Sequence, residues 1–242
     1  MNSRIKLSAR AALSGSHFRI MPLVTAIIFF VFIFSVCNAF INSFFAFASK
    51  YALAAVSALS LVLAVVLISP LRLRLEIKHL LLARRIKPAA RIRLGFSGWL
   101  KSCGMCICLF LLRLFWLCVF ELVPASALTV FIIYNSKEAV SLRAAYAVLI
   151  GAAVLGGIGF CFYFLFIQRY SKAMFYLACF KDMSVVDAVE ESVRKTGNSL
   201  ADIALFKLGF QPWFLLSVAV VPLLFVIPYY KQSITCRFLY GR

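Results

Sequence analysis

Residues 21–47 read MPLVTAIIFFVFIFSVCNAFINSFFAF, and residues 51–68 read YALAAVSALSLVLAVVLI. Neither run contains a charged residue. A helix rises about 1.5 Å per residue, so about 20 apolar residues cross the hydrocarbon layer of a bilayer. Both runs therefore read as transmembrane helices. Only Ala48-Ser49-Lys50 lies between them, which makes a tight antiparallel hairpin with both outer ends on one side. Arg4, Lys6, Arg10 and Arg19 precede the first run, and Ala46-Phe47-Ala48 has the small-residue pattern of a cleavage site. A signal-peptide core is only about 7–15 residues long, so 21–47 is expected to be a retained first span.

Three further apolar segments follow, at 106–134, 144–167 and about 205–227. The expected fold class is all-α: a polytopic transmembrane helical bundle of five to six spans forming one integral membrane domain over 1–242. Loops at 71–101 and 168–204 would connect the spans. Composition agrees, with 64% hydrophobic and 14% charged residues, where soluble domains run near half and a quarter. The 25 Phe residues exceed what a soluble core of this length can hide.

The formal charge of +18 is arranged in blocks. Four basic residues precede the first span, nine lie in 71–101 and six in 168–207, which is 19 of the 26. Lys/Arg excess marks cytoplasmic loops, so these regions and the N-terminus are expected in the cytoplasm, opposite Lys50, Lys137 and Arg143. A single crossing at 205–227 would strand Lys231, Arg237 and Arg242 outside. Pro222 and Pro228 allow instead a bent helical hairpin that returns the C-terminus, giving six passes. Both counts stand at this level.

The stretch LRLRLEIKHLLLARRIKPAARIRLGFSGWLK (71–101) has one acid, Glu76. Its start alternates with strand period, yet Arg72→Glu76 and Leu71/Leu75/Leu82 also suit a helix continuing from the second span, and an interfacial helix broken at Pro88 is expected. Arg72, Arg74, Lys78, Arg84, Arg85, Lys87, Arg91 and Arg93 are candidates for contact with anionic lipid headgroups, each gaining about 1 kcal/mol beside an anionic leaflet. Nucleic acid is not expected, because only Phe96 and Trp99 could stack on bases. Downstream, Ser184-Val-Val-Asp187 forms a capping box for a short amphipathic cytoplasmic helix closed by Gly197. Val185, Val186, Val189 and Val193 would form its apolar stripe, with Glu190→Arg194 and Glu191→Lys195 paired on the wet face.

Few residues could carry chemistry. Arg113 and Glu121 lie inside the third span, where each charge costs at least about 2.5 kcal/mol and is a functional candidate by default. Eight residues apart, they are separated by about 12 Å of rise, so direct contact requires a water or another helix. Cys103-Gly-Met-Cys106-Ile-Cys108 has C-x-x-C spacing, but three thiols with no nearby His read as apolar packing, and no metal site is expected. Gly151, Gly156, Gly157 and Gly159 sit inside an apolar span without a strand before or a basic residue after them, unlike a phosphate loop. Ala152/Gly156 and Ala153/Gly157 instead give small residues four apart, a close-packing surface. His17 and His79 are isolated and expected at the solvated interface. Paired carboxylates, H-E-x-x-H and a Ser with an intramembrane base are absent, so neither an enzyme nor a cofactor is expected.

Several blocks in order resemble domain-of-unknown-function family 975. They are the basic lead-in SRIKLSARAALSG (3–15), Phe96-Ser97-Gly98-Trp99, Ala188 with Glu191-Ser192 and Gly197-Asn198, Leu208-Gly-Phe210-Gln-Pro-Trp213, and Pro228-Tyr229 with Phe238-Leu-Tyr240. A Pro stands where that pattern has Gly before Trp213, and the spacing from E-S to G-N is shortened. The resemblance implies a bacterial cell-membrane protein and supplies no catalytic residue, cofactor or substrate. Two functions remain: a non-enzymatic membrane scaffold or accessory subunit with a membrane-protein partner or a homo-oligomeric state, or a small transporter or channel using Arg113 and Glu121.

Overall fold

A computed structural model describes residues 2–44, 50–84, 95–137, 142–180, 182–216 and 220–240. These residues form α1 (Asn2–Leu13), α2 (His17–Phe44), α3 (Lys50–Ala83), α4 (Phe96–Lys137), α5 (Leu142–Phe166), α6 (Ala173–Cys179), α7 (Val185–Thr196), α8 (Leu200–Leu208), α9 (Gln211–Leu216) and α10 (Val220–Tyr240). Single 3-10 turns sit at Ile167–Tyr170 and Gly197–Ser199, and no strand occurs among the described residues. Four helical stretches are long and apolar enough to cross a membrane: His17–Ile41, Ala54–Ala83, Phe96–Ile133 and Tyr146–Cys179. Their outer surfaces carry large apolar side chains, with Phe32 65% and Leu122 67% exposed.

The helical reading of the Leu/Arg alternation holds, as one helix with the second span: α3 continues past Ile68 to Ala83. Leu73, Leu75, Leu80 and Leu82 are all buried, on two nearly opposite faces of the helix: Leu73 packs with Met105, Leu109 and Tyr170, whereas Leu75 and Leu82, seven residues apart, pack with Leu13, Ile20 and Val24. The connection to α4 thus shrinks to 84–95, and Pro88 lies outside the described residues. The segment 205–227 is not one helix. It is divided among α8, α9 and α10, with Gly209 and Phe210 between the first two.

Proline shapes the contacts among the long helices. A helical Pro has no N–H to donate to the carbonyl four residues earlier. Pro70 therefore deprives Val66 of its helical donor, and the Trp99 indole Nε1–H of α4 donates to that oxygen at 3.3 Å. Beside it, Ser102 Oγ donates to the Ser69 carbonyl at 2.6 Å, and Ser69 Oγ lies 3.0 Å from Cys103 Sγ. Pro124 does the same to Phe120 in α4. There α5 answers with Gly159, whose backbone comes so close that a Cβ would sit 2.7 Å from the Phe120 oxygen.

The α4–α5 interface is a small-residue seam of Ala152, Gly156 and Gly159, flanked by stacked Trp116, Phe120, Phe162 and Phe166. Ala152/Gly156 meets the close-packing expectation. Ala153 is exposed and a Cβ on Gly157 would meet open space, so that second pair faces away. Ala152, Gly156 and Gly159 are four and three residues apart and share one face, and each residue of the second pair lies about 100° further round the helix.

The remaining helices gather where α3 ends. Gly15, at φ +77°, makes the left-handed turn from α1 into α2, and α1 buries Ile5 and Ala9 beside Phe206, Phe210 and Cys236. Tyr240 at the end of α10 donates its hydroxyl to the Ala83 carbonyl at 2.7 Å. Phe210 stacks edge-on to both Tyr229 and Tyr230, which ties the α8–α9 junction to α10. Helix α7 starts with the expected capping box, Ser184 accepting from the Asp187 N–H at 3.2 Å. Its inward face is Ala188, Ser192 and Thr196, with Ser192 and Thr196 both donating to the Arg169 carbonyl. Val185, Val189 and Val193 flank that face, but Val186 is 69% exposed. The ion pair is Glu191–Arg194 at 2.5 Å rather than either expected pairing. Gly197 keeps a right-handed conformation and leads through a 3-10 turn into α8.

A cationic cavity among five helices

The extension of α3 past the apolar run brings its charged residues against α4, α6, α8 and α10 around a cavity of about 700 Å³. Arg72 and Glu76 come from α3, Arg113 from α4, Lys207 from α8 and Lys231 from α10. Four cations and one carboxylate thus border one space. Tyr170, Ser171, Tyr230 and Thr235 add hydroxyls to the lining. The other wall is apolar, built from Leu61, Val62, Val65 and Val66 of α3 with Ile107, Phe110 and Leu111 of α4.

Each polar group has a defined support. Lys231 Nζ donates to Glu76 Oε1 in an ion pair, leaving Arg72, Arg113 and Lys207 without a carboxylate of their own in the lining. Lys207 Nζ donates to Gln168 Oε1 at 2.6 Å, and Gln168 is itself fixed by donating to the Phe164 carbonyl at 2.8 Å. Burial, aided by the Lys231 and Arg113 charges, pushes the Lys207 ammonium down to about 7, against which Glu76 works weakly. A lysine so placed is half-charged near neutrality and regains its proton when an anion arrives. The Tyr230 phenol is pushed up to about 12 by burial and by Glu76, so it stays a neutral hydroxyl. Trp116 Nε1–H donates to Tyr170 Oη at 2.8 Å and orients that ring.

Beneath the ion pair, His79 is fully buried, with Nδ1 2.7 Å from Gln232 Oε1, a pairing that places the proton on Nδ1. The solvated interface expected for His79 is therefore replaced by a core position next to Glu76 and Lys231. His17 stacks on Phe225 with ring centroids 5.1 Å apart.

The two intramembrane charges part company. Arg113 borders the cavity, whereas Glu121 does not. The Glu121 carboxylate lies along the α4–α5 seam, within 3.3–3.5 Å of where Cβ atoms on Gly159 and Gly156 would stand, and its Oε1 is buried without a hydrogen-bond partner. Of the basic residues expected at the lipid surface, Arg72 lines the cavity and Lys78 donates to the Arg19 carbonyl at 3.0 Å. Arg74 is partly buried and Arg84 exposed, while Arg85, Lys87, Arg91 and Arg93 lie outside the described residues. Cys103 and Cys106 both line the cavity and Cys108 does not. Among the described residues no three His, Cys, Asp or Glu side chains are grouped to share a metal ion.

Lys207 and Lys231 are the members that sequence reasoning missed. A signal for Lys207 was present: a lone lysine in the apolar run LADIALFKLGF (200–210) invites the question of a partner. Lys231 gave none, because it follows the apolar run and reads as ordinary flanking charge. Comparison with protein-family models, curated proteins and solved structures finds no match for this chain.

Proposed function

We propose that this chain is a multi-pass membrane protein that binds and carries an anionic ligand, and that the cationic cavity is its binding site. The observation that carries this reading is the convergence of Arg72, Arg113, Lys207 and Lys231 from four helices on one space holding a single carboxylate. Binding cavities for small ligands are about 300–1,000 Å³ with a few converging polar groups, and this one has that size and makeup. Like charges are not held together in an apolar surrounding without a compensating partner, and an anionic ligand supplies it.

The four long apolar helices support insertion as two hairpins, α2–α3 and α4–α5, with the basic N-terminus, the 84–95 connection and 167–200 in the cytoplasm by the distribution of Lys and Arg. The stretch Leu208–Pro228 has 21 uncharged residues shared by two legs. Each leg then reaches only about 15 Å, half of the hydrocarbon layer. A re-entrant hairpin that enters and leaves on the cytoplasmic side accounts for this length and for the contact of Tyr240 with Ala83. The ordered blocks from 3–15 to 228–240 are the ground for proposing membership of family 975 and a bacterial cell membrane.

The test is thermal unfolding of the detergent-purified protein with pyrophosphate or sulfate at matched ionic strength. A ligand at 100 times its Kd stabilises by about 2.7 kcal/mol, so a rise in Tm that chloride does not give, and that Arg113→Gln abolishes, supports an anion site. Equal shifts with chloride and in the variant would remove the reading. The accessory-subunit reading rests on a separate observation, the outward Val186 on α7. It is tested by crosslinking in intact cells and identifying what co-purifies.

A further inference from the structure

Resting on that anion-binding reading, we infer that the cavity takes a phosphate-bearing amphiphile that enters sideways from the bilayer between α3 and α4, its phosphate on Arg113 and Lys207 and its chain against the apolar wall. The cavity is divided by chemistry. Its cationic end is made by Arg72, Arg113, Lys207 and Lys231, and its apolar end by the valine and leucine side chains of α3 facing Ile107, Phe110 and Leu111 of α4. A small hydrophilic anion has no use for the second half.

The apolar end is also open outward. Leu61 is 54% and Val62 57% exposed on α3, and Ile107 is 50%, Phe110 53% and Leu111 56% exposed on α4. The same side chains thus line the cavity and lie on the surface that meets lipid, so no polar barrier separates the two. The cationic end begins just past the Pro70 bend, where α3 passes from its uncharged run to Arg72 and Glu76, both in the lining. A lipid likewise passes from chain to headgroup along its length, so the two ends match in order. Arginine suits phosphate because its planar fork donates two parallel hydrogen bonds. The Glu76–Lys231 ion pair at the floor keeps one carboxylate in the site, which lowers its appeal to anions in general.

The source of the phosphate is decided by native mass spectrometry and competition on the full-length protein in detergent. The probes are dioleoyl phosphatidic acid, dioleoyl phosphatidylcholine, glycerol 3-phosphate and inorganic phosphate. Retention of phosphatidic acid at least about tenfold above phosphatidylcholine, and its loss by a similar factor in Arg113→Gln and Lys207→Gln, is the expected result. Val62→Trp narrows the lateral opening in the apolar wall and is expected to weaken phosphatidic acid more than glycerol 3-phosphate. If glycerol 3-phosphate or inorganic phosphate binds as tightly as phosphatidic acid, the amphiphile is overturned and the anion site survives. If phosphatidic acid is retained equally by both cationic variants, it is surface lipid and the inference fails. If no probe binds, the inference and the reading beneath it fall together.

Discussion

The indole of Trp99 donates to the carbonyl of Val66 at 3.3 Å, the one oxygen in α3 that Pro70 leaves without its helical donor. An unmade hydrogen bond at a half-buried carbonyl costs about 1–3 kcal/mol. Trp99→Phe is therefore expected to destabilise the protein by about that amount in detergent unfolding. Pro70→Ala returns an N–H to the helix, so the Trp99→Phe cost should shrink in its presence. A double-mutant cycle with no coupling between the two positions would contradict the relationship.

The α4–α5 seam gives a second, sharper contrast. Gly159→Ala places a methyl 2.7 Å from the Phe120 carbonyl oxygen, a backbone atom that cannot step aside, whereas Gly157→Ala meets open space. Overpacking of this kind costs about 1–3 kcal/mol. Gly159→Ala is expected to lower Tm clearly and Gly157→Ala to leave it within error. Equal effects would place the seam on another face of α5.

Hydropathy made the four long helices legible, because an apolar run of this length has few other homes. The capping box at Ser184–Asp187 was equally legible, since it is a local hydrogen-bonding pattern. The Val stripe of α7 misled by one position: the helix turns Ala188, Ser192 and Thr196 inward because hydroxyls are needed at the Arg169 carbonyl. Arg113 was visible as a charge in an apolar span. Its company was not, since the cavity joins residues 72, 113, 207 and 231, whose proximity is set by tertiary packing alone. For the same reason the sequence offered Arg113 and Glu121 together as one path, while only Arg113 borders the cavity and Glu121 lies in the seam.

Glu76 holds Lys231 and lowers the positive charge of the cavity by one. Glu76→Gln is expected to tighten sulfate binding measured by calorimetry. It also leaves the Lys231 ammonium without its carboxylate, so the same variant should lose stability by a few kcal/mol, about 3–5 if the pair were fully buried and less here, where Lys231 is a third exposed. Weaker sulfate binding would show that Glu76 positions Lys231 for the ligand rather than competing with it.

Sulfate does not titrate near neutrality, so its pH dependence reports the protein. Lys207 falls to about 7 in the folded state because of burial and the neighbouring Lys231 and Arg113 charges. A bound anion favours the charged lysine, so binding takes up a proton above pH 7 and affinity falls as pH rises, approaching about tenfold per unit at most. Without ligand the sign reverses. The folded state holds fewer protons at Lys207 than the unfolded chain between about 7 and the ordinary lysine value of 10.5, so this group's contribution to stability rises with pH across that window. Lys207→Arg stays charged and is expected to flatten the binding profile. A wild-type profile already flat from pH 6.5 to 9 would contradict the assignment.

Occupancy of the cavity is read most directly from its own thiol. Cys106 lines the cavity, whereas Cys118 and Cys161 lie exposed on the outer surface of the bundle. Alkylation of the detergent-purified protein with a small maleimide, followed peptide by peptide in the mass spectrometer, gives the rate at all three sites in one sample. Dioleoyl phosphatidic acid is expected to slow Cys106 severalfold while the two reference thiols react as before. An unchanged Cys106 rate at saturating phosphatidic acid and pyrophosphate would mean that no anionic ligand occupies the space among Arg72, Arg113, Lys207 and Lys231.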